Sequence, residues 1–450
     1  MSFTTLSFLV LFLPAYLLVV VSFRGRLRQT ILMVLNALFL LGLSVSVFLG
    51  CLLMALAAYL FGRYERSPKA GTAAILCIAG GTVVLKSLAG VAAAANMEAS
   101  GAVIVNVGML CALSVCAMLN CSYLVEVAAG AKKEPHALAY FSYGFSLPLL
   151  FSGPSMNYEE FCALRTEPRR QEILAGLFCI IKGTVKSVAV GFGCLQAFSG
   201  VIGFVPEGLD LVTFLLGVVF CCFAVSYLLK GIGDVAVGLG RLQGMLILHP
   251  FERSDIFTGF APVAASFNRA TALFVRRYVA PGFQLSRVQT GVACILFFAL
   301  QYFSTPAVLI WGLLVGALYL LEQALPPLPE GWRAARAAYT VPVLMFTSLF
   351  FGLFHLSDIG NLLSATFLQG FQFTSSKAVF AVTQYILPLV LGTVGLIPKF
   401  SLTRADAGSG PAVKAYRAVA WAVVLLLFVY SLFNLLSSET NPFFVLWQGV

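Results

Sequence analysis

The chain has 450 residues, of which 60% are hydrophobic and only 10% charged, with a mean hydropathy of +0.96. Soluble domains carry about a quarter charged residues, so this composition excludes an ordinary aqueous globule and belongs in a bilayer. The net charge is +10, but the basic residues are dispersed among apolar runs and form no single stripe, which excludes a nucleic-acid partner.

A spanning helix needs about 20 predominantly apolar residues. Suitable runs occur near Thr5–Ser22, Thr72–Leu88, Val103–Val127, Ala175–Leu195 and Leu211–Leu229, then Val288–Phe303, Ala307–Leu321, Tyr339–His355, Val379–Leu396 and Ala418–Leu436. The run Ile31–Phe61 is too long for one upright helix and predicts two short ones, hinged near Gly42 or Gly50. The expectation is an all-α integral membrane protein, one polytopic domain over residues 1–450. It has about 10–12 membrane helices plus short interfacial or re-entrant ones. No basic residue precedes the first run, and Arg24, Arg26 and Arg28 follow it. That predicts a retained helix with its N-terminus outside the cytoplasm. Basic clusters at Arg63–Lys69, Lys132–Lys133, Arg165–Arg170 and Lys399–Arg417, placed in the cytoplasm, put the C-terminus outside too.

The eleven cysteines fall mainly in apolar segments and read as small hydrophobes; no metal-type spacing with histidine occurs. Ionisable residues inside apolar runs are functional candidates by default. They are Lys86 in TVVLKSLAG, Lys182 and Lys186 in IIKGTVKSV, Glu126 in SYLVEV, and Lys230 and Asp234 around KGIGD. The competing reading is that each snorkels to the headgroups from near a helix end.

An ordered set of segments resembles the membrane-bound O-acyltransferases, in the bacterial branch that acetylates alginate and D-alanylates teichoic acids. LSFLVLFLPAYLL with RGRLRQTILMVLNALFLL resembles that branch's opening, and SYLVEV (Ser122–Val127) its S-Y-L-V-D-V. FSLPLLFSGPSMNYEEF (Phe145–Phe161) resembles its glycine–proline segment, and GTVK (Gly183–Lys186) its G-L-F-K. GDVAVGLGRLQGM (Gly233–Met245) resembles S-D-[IM]-A-I-G-L-[AG]-R-x-x-G-[FI]. LIWGLLVGALYLLE and FFGLFHLSDIGNLLSATF resemble later membrane segments. The resemblance implies a ring of helices around a central funnel, with a core of approximately residues 100–360. It also implies an acyl thioester donor, acyl-CoA or an acyl carrier protein, and an envelope or periplasmic partner protein.

The resemblance implies two catalytic histidines, and at the positions that match them other residues stand. Counted without a gap from Gly244, the first catalytic segment falls on SFNRATALFVRRYV; its tryptophan–histidine pair becomes Phe267–Asn268, and Arg276 keeps the arginine. Counted back from Trp311–Gly312, the W-H-G motif becomes Gln301, Tyr302 and Phe303. Histidine suits general base work because its pKa lies near 6.5. Asparagine has no titrating group. Tyrosine starts near pKa 10, and burial pushes a phenol further up. Losing a general base costs on the order of 10²–10⁴ in rate. Of the three histidines, His136 and His355 lie in a basic loop and at a span end, and His249 in ILHPFERSD is the closest stand-in.

Three readings follow. The first is a homologue without its catalytic pair that binds a lipid, an acyl carrier or a partner. The second is an active O-acyltransferase with a displaced arrangement using Tyr302, His249 or Asp234. The third is a transporter or lipid flippase whose funnel is lined by Lys86, Asp234 and Arg276.

Overall fold

The computed structural model describes residues 6–64, 68–94, 107–130, 136–164, 167–251, 258–303, 306–326, 332–353, 356–395 and 411–437. It is 84% helical, with no strand among the described residues. Among those residues, eight helices are long and apolar enough to cross a membrane, and a ninth span results if one bent pair is counted as one. Three shorter apolar helices, Phe8–Ser22, Gly71–Ser87 and Ala137–Ser152, accompany them. Large apolar side chains point outward along these spans: Leu18 is 63% exposed, Leu53 65% and Leu426 71%. In water such surfaces would aggregate; against lipid they are ordinary solvent contacts, and the helices satisfy their backbone groups internally. The protein is an all-α multi-span membrane protein.

The chain divides into two compact units. The first contains Ser7–Phe178 and Ala236–Thr340. The long run Ile31–Phe61 is split there into the Gly25–Leu43 and Val45–Tyr64 helices, and the break falls at Ser44, whose backbone is extended. The most enclosed span is Cys111–Ala128, 78% buried. It packs against Val45–Tyr64, Pro68–Ala94, Leu147–Ser152 and Arg287–Tyr302, so it carries apolar and small side chains on every face, as a central helix must.

The second unit contains Cys179–Val235 and Val341–Val450. In it the π-helical turn Val185–Phe192 is covered by the Pro411–Ser437 helix, with Val424 packed on Val185 and Ala189. Ser376–Gln384 and Ile386–Val394 form the bent pair, with an angle of 68° between them. Pro388 accounts for the bend: it has no N–H to donate to the carbonyl of Gln384 four residues earlier, and its ring clashes there.

Candidate functional site

In the first unit the segments that carry Asn268 and Tyr302 meet. Asn268 is 2% exposed and caps the short helix Arg269–Phe274: its Oδ1 accepts hydrogen bonds from the Ala270 N–H at 3.0 Å and the Thr271 N–H at 3.1 Å. Asparagine is among the best residues for this task, because it satisfies amides that a helix start leaves unpaired. Its Nδ2 is buried with no partner at hydrogen-bonding geometry, although the Tyr302 hydroxyl is a near neighbour. Thr271, one turn along, donates its hydroxyl to Gln301 Oε1 at 2.5 Å, and Gln301 Nε2 donates to Cys111 Sγ at 3.4 Å. Aromatic rings close the contact: Phe267 stacks on Phe298 at 5.7 Å, Phe298 lies 4.8 Å from Tyr302, and Trp311 sits 5.5 Å from Phe267.

Lys86 joins this cluster from the Pro68–Ala94 helix. It is 2% exposed, and its Nζ donates to the carbonyls of Leu300 and Gln301, each at 2.8 Å. These carbonyls belong to the last turn of Arg287–Tyr302, where backbone acceptors lack intrahelical donors and the helix dipole favours a cation. The lysine caps a helix end, with its nitrogen turned to backbone carbonyls in the interior.

Gly153 supplies the wall opposite Asn268. Its φ is +102°, which side-chain-bearing residues rarely adopt, and an added Cβ would lie 3.0 Å from the Ala270 Cβ and 3.5 Å from the Asn268 amide. The glycine–proline segment therefore meets the Asn268 segment directly.

A second network ties the same segments together. Glu126 Oε1 accepts from Asn157 Nδ2 at 2.7 Å and from the Tyr278 hydroxyl at 2.6 Å. Asn157 and Glu160 form a capping box on Tyr158–Cys162, and Arg277 pairs with Glu160 at 2.7 Å. Burial, reinforced by the Glu126 carboxylate, pushes the Tyr278 phenol above its ordinary range, so it stays protonated and donates. SYLVEV, the Phe145–Phe161 segment and SFNRATALFVRRYV are thus joined by side-chain hydrogen bonds. The N-x-x-E spacing of Asn157 and Glu160 was a readable capping signal; the partnership with Glu126 was not, since nothing local encodes it.

The sequence candidates therefore separate. Lys86, Asn268, Gln301 and Tyr302 come together, with Cys111 and Thr271 as members that sequence reasoning missed. Arg276 is exposed, and its polar neighbours are Cys294 and Tyr319. His249 is half-buried, and its Nδ1 accepts from the Phe251 N–H at 3.3 Å within its own turn. His355 lies outside the described residues. Asp234 belongs to the second unit, where Lys182 and Lys186 contact its two carboxylate oxygens at 3.1 and 2.5 Å. Among the described residues, no three His, Cys, Asp or Glu side chains gather as a metal site. A separate apolar groove of about 380 Å³ lies between Met33, Leu38, Phe48 and Phe145 in the first unit.

The chain matches no protein-family model, and no curated protein matches it significantly.

Proposed function

We propose that the protein is a multi-pass membrane protein related to the O-acyltransferases of bacterial cell-envelope polymers, and that it acts by binding and not by turnover. Its ligand on this reading is a lipid, an acyl carrier or a partner protein of a polysaccharide-modification system. Its location is the bacterial cytoplasmic membrane, with both termini extracytoplasmic. One observation carries the reading: Asn268 and Tyr302, the positions that correspond to the family's two histidines, are packed into one buried cluster. Asn268 cannot accept a proton, and its Oδ1 is committed to two backbone amides. The apolar groove beside Phe48 and Phe145 supports a lipid as the ligand.

The test is acyl transfer by purified protein in proteoliposomes with an acyl thioester donor. Wild type and Tyr302→Phe are expected to be equally silent, and Tyr302→Phe is expected to complement a deletion strain fully. Turnover by wild type that collapses in Tyr302→Phe would overturn the proposal.

A second reading, an active enzyme using His249, has its own support. The Arg269 N–H donates to the Pro250 carbonyl at 2.9 Å, so the connector bearing His249 folds onto the residue after Asn268. On that reading wild type turns over and His249→Ala does not.

A further inference from the structure

We infer that Arg276, Arg287 and the Tyr319 hydroxyl form a binding site for a phosphate oxyanion, that of a membrane-lipid headgroup. The site shares no residue with the Asn268 cluster, so it stands whether or not that cluster turns over a substrate.

The sequence supplies the charge. From Arg269 to Leu321 the chain has four arginines and no acidic residue. Arg277 is paired with Glu160. Arg276 and Arg287 are exposed, and neither has an ion-pair partner among the described residues.

The fold gathers these groups. The helices Arg287–Tyr302 and Pro306–Ala324 run antiparallel, with Gly291 against Tyr319 and Gly312 against Ala299. An added Cβ on Gly291 would collide with the Tyr319 hydroxyl, so glycine is what lets this ring lie on the helix one turn from Arg287. Arg276 arrives from the π-helical turn Val275–Val279, beside the Cys294 thiol. The chain between the two arginines reverses at Gln284, whose φ is +52°. Both guanidiniums therefore act on one phenol, that of Tyr319. Among the described residues one carboxylate acts there too, Glu322, and it is committed to the Ala261 N–H and the Tyr339 hydroxyl.

The donors are left unanswered. Tyr319 is 6% exposed, yet its hydroxyl has no hydrogen-bond partner among the described residues, and its oxygen is not sealed from the outside. A buried phenol ordinarily finds a partner. Each guanidinium carries five N–H donors in a planar fork that matches phosphate oxygens. Two such cations and an O–H around one spot, with no carboxylate to answer them, suit an oxyanion held by charge-assisted hydrogen bonds.

Position selects a lipid as the source. Arg287 opens its helix, and Tyr319 stands five residues before the end of its own. The site thus lies at one end of the antiparallel pair, where a span meets the headgroups. Phe283, between the two arginines in the chain, is 76% exposed. A bare aromatic ring among basic side chains suits the boundary between acyl chains and phosphates.

The experiment follows thermal unfolding of the purified full chain in a neutral detergent as ligand is added. Dioleoyl phosphatidylglycerol is the lipid probe, dioleoylglycerol its phosphate-free control, and inorganic phosphate the free oxyanion. Phosphatidylglycerol is expected to raise the midpoint of wild type to saturation, and dioleoylglycerol to leave it unchanged. Arg276→Gln and Arg287→Gln should each weaken that binding about tenfold or more, the loss of a charge-assisted hydrogen bond. Tyr319→Phe, which keeps the ring on Gly291, should weaken it in the same direction and serves where an arginine variant does not fold. An arginine-dependent response to inorganic phosphate with none to the lipid keeps the oxyanion site but overturns the lipid as its source. Equal lipid binding by wild type and all three variants overturns the proposal. So does a wild type that saturates with neither probe, a measurement that needs no variant.

Discussion

The Thr271 hydroxyl donates to the Gln301 side-chain carbonyl at 2.5 Å, with both residues fully buried. This bond ties the segment that follows Asn268 to the residue before Tyr302. Removing one partner leaves a buried polar group unpaired, at a cost of about 1–3 kcal/mol. Thr271→Val and Gln301→Leu are each expected to destabilise by that amount. The double variant should cost less than their sum, since contacting residues couple by roughly 0.5–3 kcal/mol. Chemical or thermal unfolding of the four proteins in detergent measures the coupling, and strict additivity would mean the bond contributes nothing.

Asn268 is expected to matter through its cap. Asn268→Ala should lower stability by about 0.5–2 kcal/mol, whereas Asn268→Asp and Asn268→Ser, which keep an acceptor, should stay near wild type. Unfolding midpoints of the three variants decide this. An alanine variant as stable as wild type would show that the two amide contacts are idle.

Lys86→Met keeps the length of the side chain but removes its donors. The carbonyls of Leu300 and Gln301 would then lack the lysine at a buried helix end, at a cost of about 1–3 kcal/mol. Protease sensitivity near the end of Arg287–Tyr302 is expected to rise in this variant. Unchanged proteolysis would place the helix end under other control.

Asp210 sets a pH dependence. Burial pushes its carboxyl upward, but hydrogen bonds from the Ser375 and Thr213 hydroxyls and the Thr213 amide outweigh that and hold it below the usual range. A depressed pKa in the folded state contributes stability that is fully present above the unfolded value, roughly 3.9, and is lost as pH falls through the folded one. Wild type should exceed Asp210→Asn in stability at neutral pH, and the gap should close only at pH values more acidic than about 4. A gap that is constant down to strong acid would remove the carboxylate from the account.

The membrane character and the helical class were legible in the sequence because burial in lipid leaves a direct mark: apolar runs with few charges. The division of Ile31–Phe61 was legible from its length, and the break at Ser44 lies two residues past Gly42. The bend near Tyr385 was legible in principle from Pro388, since proline's effect on its own helix is local. Pairings at long range left no such mark. Lys182 and Asp234 were each conspicuous, but their partnership depends on the approach of Gly183 to Gly231, which only the packed helices reveal. Lys86 read equally well as a snorkelling side chain, because its acceptors are backbone carbonyls, and every residue has one. Asn268 stands before a helix as any capping residue does. Its sequence signal for capping was plain, whereas its place beside Tyr302, 34 residues on, left no local mark.

The nitrogen of Lys86 and the carbonyls that receive it lie 214 and 215 residues apart in the chain. Ribosomes add about 5–20 residues per second, so the lysine's helix is made roughly 10–40 s before those acceptors exist. For that interval a charged side chain near the end of an apolar helix, a costly group wherever it meets hydrocarbon, awaits its eventual seat. Biogenesis must shelter it meanwhile, at the insertion machinery or at the lipid boundary, until the late helix enters.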